Sequence, residues 1–150
     1  MNKLFLILSL FFLTNVFANY QRVNNIVIDK ELSLVWQDDK FAKITKMSLD
    51  NSKKHCENLS LNSKTNWRLP TYEELLSIGD YEIYKPTIHP IFKNTASGHY
   101  WSIIYKRVAY GDSWKPLNEF YVKRIYFSDG FSYDNDRTGK AYVRCVRDDS

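Results

Sequence analysis

Cys56 and Cys145 are the two cysteines of this 150-residue chain, and they open three kinds of chemistry. A thiol beside His55 is the beginning of a nucleophile. Cysteine with histidine is the beginning of a metal site. An even cysteine count in an exported chain reads as a disulfide. The metal reading lacks both a C-x-x-C and a histidine at ligand spacing, so no metal is expected. The adjacency of His55 and Cys56 carries no weight, because neighbours in sequence point apart on a helix. The disulfide is the reading kept, and it leaves no thiol for catalysis.

The other candidate chemistry is softer. His55, His89 and His99 are well separated and read as surface or packing residues. Asp134-Asn135-Asp136 begins like a calcium-binding EF-hand loop, but its twelfth position is Cys145 instead of the required glutamate. Asp129, Asp134 and Asp136 are therefore read as solvated turn residues. The richest binding candidate is the segment from Tyr105 to Lys115. It holds Tyr105, Lys106, Arg107, Tyr110, Trp114 and Lys115, with Gly111-Asp112 as a turn. Aromatic faces stack on sugar rings, and Lys or Arg pairs with sulfate or carboxylate.

Composition sets the compartment. Lys3 followed by the apolar run Leu4 to Leu13, and then Val16-Phe17-Ala18, reads as a secretory signal peptide over residues 1–18. About twenty apolar residues are needed to span a bilayer, and this run is too short for an anchor. The expected protein is a single domain, 19–150, secreted or periplasmic, with no membrane span after cleavage. Without Lys3, 20 basic residues face 17 acidic ones, a formal charge of +3. That permits an anionic partner, but the basic residues are scattered and no nucleic-acid motif is present, so nucleic acid is not expected.

Several elements must position these residues. Ile26 to Ile28 and Leu32 to Trp36 read as a hairpin or two short strands. Ser48 caps a helix to about Leu59, with Leu49, Ser52, Cys56 and Leu59 on its inner stripe. In "NWRLPTYEEL", Thr71 and Glu74 have the form of a capping box, Pro70 keeps the chain extended before the cap, and Gly79 closes the helix. Trp67 and Leu69 read as core anchors. Arg68 is expected in a buried or half-buried ion pair or on backbone carbonyls. Tyr100 to Tyr105 and Glu119 to Phe127 read as strands, the second with Tyr121, Ile125 and Phe127 on one face. Ser128-Asp129-Gly130 is a turn, and Ala141 to Val146 is one last strand carrying Cys145. Hairpin, two helices, then strands make an α+β domain.

Five blocks in order carry a family resemblance: "VIDKELSLVWQDD", "CENLSLNSKTNWRLPTYEELLSI", "YWS", "FSDG" and "YVRCVR". Together they resemble the Lcl C-terminal-like domain family, a bacterial exported module related to C-type-lectin-like folds. The resemblance covers nearly all of the chain after residue 18. It implies two helices flanking small antiparallel sheets, paired N- and C-terminal strands, and a disulfide from the first helix to the last strand. One member of that family binds sulfated polysaccharides, as lectins bind glycans. The chain departs from the family at Leu32-Ser33, where Thr-Gly is usual; Ser33 lacks glycine's freedom at positive φ, so a different turn is expected there. The sugar-binding calcium tripeptides of C-type lectins are absent. Formylglycine-generating enzymes share the lectin-like fold and an Arg-Leu-Pro-Thr segment, but they use two active-site cysteines, which this chain assigns to its disulfide.

The reading is a non-enzymatic binding module without a cofactor, for a glycan, anionic ones included, or a protein. A structural or assembly subunit binding a partner through its aromatic face comes second, and a diverged enzyme third.

Overall fold

A computed structural model describes residues 19–104, 107–110, 113–116, 121–134 and 137–150. The expected signal peptide, 1–18, lies outside the described residues. In chain order the elements are β1 (Tyr20–Val23), β2 (Ile26–Asp29), β3 (Leu34–Gln37), α1 (Lys40–Ile44), β4 (Lys46–Met47), α2 (Leu49–Asn58), α3 (Tyr72–Ser77), β5 (His99–Ile104), β6 (Arg107–Tyr110), β7 (Ser113–Pro116), β8 (Tyr121–Tyr126), β9 (Phe131–Asp134), β10 (Ala141–Tyr142) and β11 (Val146–Asp148). The α+β class holds, with one more helix among the described residues than the two expected. The extra one, α1, is five residues long and is capped by Asp39, whose carboxylate accepts from the Ala42 amide.

Helices α2 and α3 follow their sequence signals. Ser48 caps α2, which buries Leu49, Ser52 and Cys56 on one stripe. Thr71 and Glu74 form the full capping box of α3. Pro70 forces the preceding residue out of helical backbone, so the cap is sharp. At the other end Ile78 is the cap residue. Gly79 donates to the Leu76 carbonyl at 3.0 Å without a left-handed φ, so the helix end does not use glycine's special freedom.

The strands form a four-stranded sheet in the order β1-β2-β3-β11 and a five-stranded sheet in the order β4-β10-β5-β8-β9. The hairpin β2–β3 forms as expected, starting at Leu34, with Leu32 left exposed in its turn. Ser33 occupies that turn with φ +54°, so serine adopts the left-handed conformation that glycine would take more easily. The first and last strands share one sheet but do not pair: β11 pairs with β3, and both β2 and β3 lie between it and β1. The second sheet is not wholly antiparallel, because β10 joins β5 in parallel through Tyr142 and Tyr100.

The single last strand expected over Ala141 to Val146 is two strands. β10 belongs to one sheet and β11 to the other, and Val143-Arg144-Cys145 crosses between them. Cys145 sits on that crossing and forms a disulfide with Cys56, closing 89 positions of chain. By the chain-entropy account a loop of that length is worth about 4.6 kcal/mol at most.

The five-stranded sheet has apolar packing on both faces. Trp101, Ile103 and Val122 pack with Leu49, Trp67, Leu69 and the disulfide. Tyr100, Ile125 and Phe127 pack with Trp36, Leu75 and Ile78. Strand β8 therefore buries Val122 as well as Ile125, and the one-faced alternation expected there fails because both faces are covered.

Candidate functional site

Arg68 is where the capping box, a sheet and a charge meet. Its backbone exchanges two hydrogen bonds with Val146 of β11, at 2.8 and 2.9 Å. Two residues later the Pro70 carbonyl accepts from the Ile103 amide of β5 at 3.0 Å. Strand β10 is only two residues long, so this end of β5 has a donor left for Pro70. The Trp-Arg-Leu-Pro segment thus stitches the two sheets together, and Trp67 and Leu69 anchor it in the core. The Arg68 guanidinium binds the Glu74 carboxylate through both Nη atoms, at 2.8 and 2.7 Å, and Asp148 at 3.1 Å. The bonds to Glu74 raise the Arg68 pKa, against a smaller opposing effect of burial. Arg68 is half-buried and structural, as its sequence context implies.

A second cation is hidden altogether. Arg144 is fully buried in the crossing between the sheets. One Nη donates to the Gln37 carbonyl at 2.6 Å and to Asp38 at 3.0 Å. The other donates to the Asn94 carbonyl at 2.8 Å and to Thr95 Oγ1 at 2.7 Å. The Phe92 ring lies 4.9 Å away. Burial lowers the Arg144 pKa, yet a guanidinium starts high enough to stay charged. Asp38 also accepts from the amides of Lys93 and Asn94 and pairs with Arg22. The network fastens β3, the 92–95 loop and the crossing at one point. Sequence reading did not single out Arg144 or Asp38. The available signal was a charged residue set between Val143 and Cys145 in an otherwise apolar run.

The six candidate binding residues fare differently. Tyr105 and Lys106 lie outside the described residues. Arg107, Tyr110, Trp114 and Lys115 fall on β6 and β7, which pair with each other as a two-stranded antiparallel sheet. Its register sets Ala109 opposite Trp114 and Val108 opposite Lys115. Residues opposite one another share a face and consecutive ones do not. The register therefore divides the set, placing Arg107 and Trp114 on one face and Tyr110 and Lys115 on the other.

Of the remaining candidates, the histidines pack against rings and Asp129 lies in a turn, but Asp134 ends strand β9 opposite Lys123 and is not the turn residue expected. His55 stacks on Phe41, His89 lies against Tyr20, and His99 stacks on Tyr126. Asp129 accepts from the Phe131 amide in the β8–β9 turn, where Gly130 has φ +80°. Asp136 lies outside the described residues.

A family model, the Lcl C-terminal domain, matches residues 25–147. No curated protein and no solved structure matches the chain.

Proposed function

This chain belongs to the Lcl C-terminal domain family, and on that footing we propose that it is an exported, non-enzymatic binding module with a C-type-lectin-like fold. Its ligand is a glycan, anionic ones included, or a protein. The observation that carries the reading is the β6–β7 hairpin. It forms its own two-stranded sheet, distinct from the two larger sheets, and it bears Arg107, Tyr110, Trp114 and Lys115. A hairpin the main sheets do not need for their ladders is free to carry recognition. Aromatic and basic residues together suit a sugar with acidic substituents. The non-enzymatic part draws support from the cysteines, since both are held in the Cys56–Cys145 bond and neither is a nucleophile.

The test is retention of residues 19–150 on immobilised heparin together with a glycan array. Trp114→Ala is expected to weaken glycan binding at least tenfold, and rising salt to weaken it further. A chain that binds no glycan at any ionic strength overturns the glycan reading.

The runner-up is an assembly subunit that meets a partner chain through exposed rings. Tyr84, Phe131 and Tyr81 are 73, 67 and 58% exposed. Concentration-dependent oligomers in sedimentation, without any glycan signal, would favour that reading.

A further inference from the structure

Three strand pairings far apart in sequence build a second basic, aromatic place, which shares no residue with the hairpin. Pairing of β10 with β4 sets Tyr142 beside Lys46, whose ammonium lies 4.8 Å from the ring centroid. Pairing of β5 with β8 sets His99 beside Tyr126, with their rings stacked at 4.5 Å. The parallel contact of β10 with β5 brings the two pairs together. Between them is a depression of about 240 Å³, and Lys140 completes its lining.

Gly98 keeps that depression open to the ring. A Cβ at this position would stand 2.5 Å from the Tyr142 ring, so any side chain there would push the ring away. Lys46 and Lys140, both exposed, bring positive charge to the lining, which holds no carboxylate among the described residues. Around His99, Arg124 and Lys46 act on the positive side and Asp129 opposes them. Pockets for drug-sized ligands run to about 300–1,000 Å³, so this one suits a single ring or less.

We propose that the depression between β4, β5, β8 and β10 binds one acidic sugar unit, with Lys46 and Lys140 pairing its carboxylate or sulfate and the Tyr142 and Tyr126 rings flanking its ring. The sugar part rests on the reading of the chain as a glycan binder; the anion contact stands on the two lysines. Lysine ammonium groups act as mobile point charges and accept either anion, so the probe must distinguish carboxylate from sulfate.

The experiment is an amide chemical-shift titration of residues 19–150 at low ionic strength. The probes are sodium glucuronate, glucose 6-sulfate, inorganic sulfate and glucose. Saturable shifts from both acidic sugars are expected at Gly98, His99, Tyr126 and Tyr142, with weaker shifts from inorganic sulfate and none from glucose. The Lys46→Gln, Lys140→Gln double variant is expected to bind the acidic sugars at least tenfold more weakly, with unchanged dispersion elsewhere in the spectrum. Glucose binding as well as its sulfate, or a double variant that binds like the parent chain, overturns the proposal. If those shifts fail while Trp114-dependent heparin retention persists, this site falls and the hairpin reading stands.

Discussion

Arg68 and Glu74 are six residues apart and joined by two hydrogen bonds, and the same Glu74 carboxylate accepts from the Thr71 amide at 2.8 Å. One side chain therefore closes the N-terminus of α3 and holds the cation of the strand bridge. An exposed ion pair contributes little, and Arg68 is 36% exposed, so the cap supplies most of what Glu74 gives. Glu74→Ala is expected to cost about 1–2 kcal/mol. Glu74→Gln keeps the cap acceptor and is expected to cost less than half of that. Urea unfolding of both variants, with an unchanged m-value, measures the difference.

Asp38 and Arg144 carry a heavier load because both side chains are fully buried. Asp38→Asn leaves the Arg144 charge without its carboxylate, and breaking such a pair costs about 3–5 kcal/mol. Arg144→Met is expected to cost a similar amount, softened because Arg22 still pairs with Asp38. The double variant should be destabilised by clearly less than the sum of the two. Additivity in a double-mutant cycle would show that the charges are not coupled.

Ser33→Gly is expected to stabilise the protein. Serine at φ +54° bears the steric penalty of the left-handed region, about 1–2 kcal/mol, against glycine's entropy loss of about 0.5–1 kcal/mol. The bond from the Asp149 amide to Ser33 uses the backbone carbonyl and survives the change. A rise of a few degrees in Tm, absent in Ser33→Ala, is the expected result.

Acid should weaken the fold through two histidines. Burial lowers the pKa of His55, partly opposed by Asp39, and burial lowers that of His99, aided by Arg124. Below about pH 6.5 the unfolded chain takes up these protons first, so stability is full above that pH and falls as pH drops toward the folded values. Unfolding free energies at pH 7.5 and 5.5 should differ in that direction, and His55→Gln should narrow the gap. An unchanged gap would exclude His55 as a contributor.

What could be read from sequence was mostly local. Ser48 and Thr71 announce their helices within four residues, and the stripe Leu49, Ser52, Cys56 is the face that α2 buries. The cysteine pair could be read because a chain with two cysteines has one intramolecular pairing. Other features depend on what packs from afar. Nothing local in "AYVRCV" says that its two ends join different sheets, so the break between β10 and β11 was hidden. Val122 and Ile125 both lie inside because each face of the sheet has its own core, which period-2 alternation cannot express. The basic depression takes Lys46, His99, Tyr126 and Tyr142 from four separate strands, and no window of sequence contains them together.

Residues 141–148 complete both sheets, and this sets an order of events. A chain emerging from its N-terminus can zip β1, β2 and β3 at once, since their pairings are near neighbours. It cannot join β4 to β5 through β10, bury Arg144 or offer Cys56 its partner until this late segment has appeared. Contacts of such long sequence separation slow folding. Until then Cys56 is a lone thiol on a half-formed domain. The oxidant that seals it must therefore act late, and a pulse-labelling experiment on nascent chains would find that thiol reactive up to the emergence of residue 145 and protected soon after.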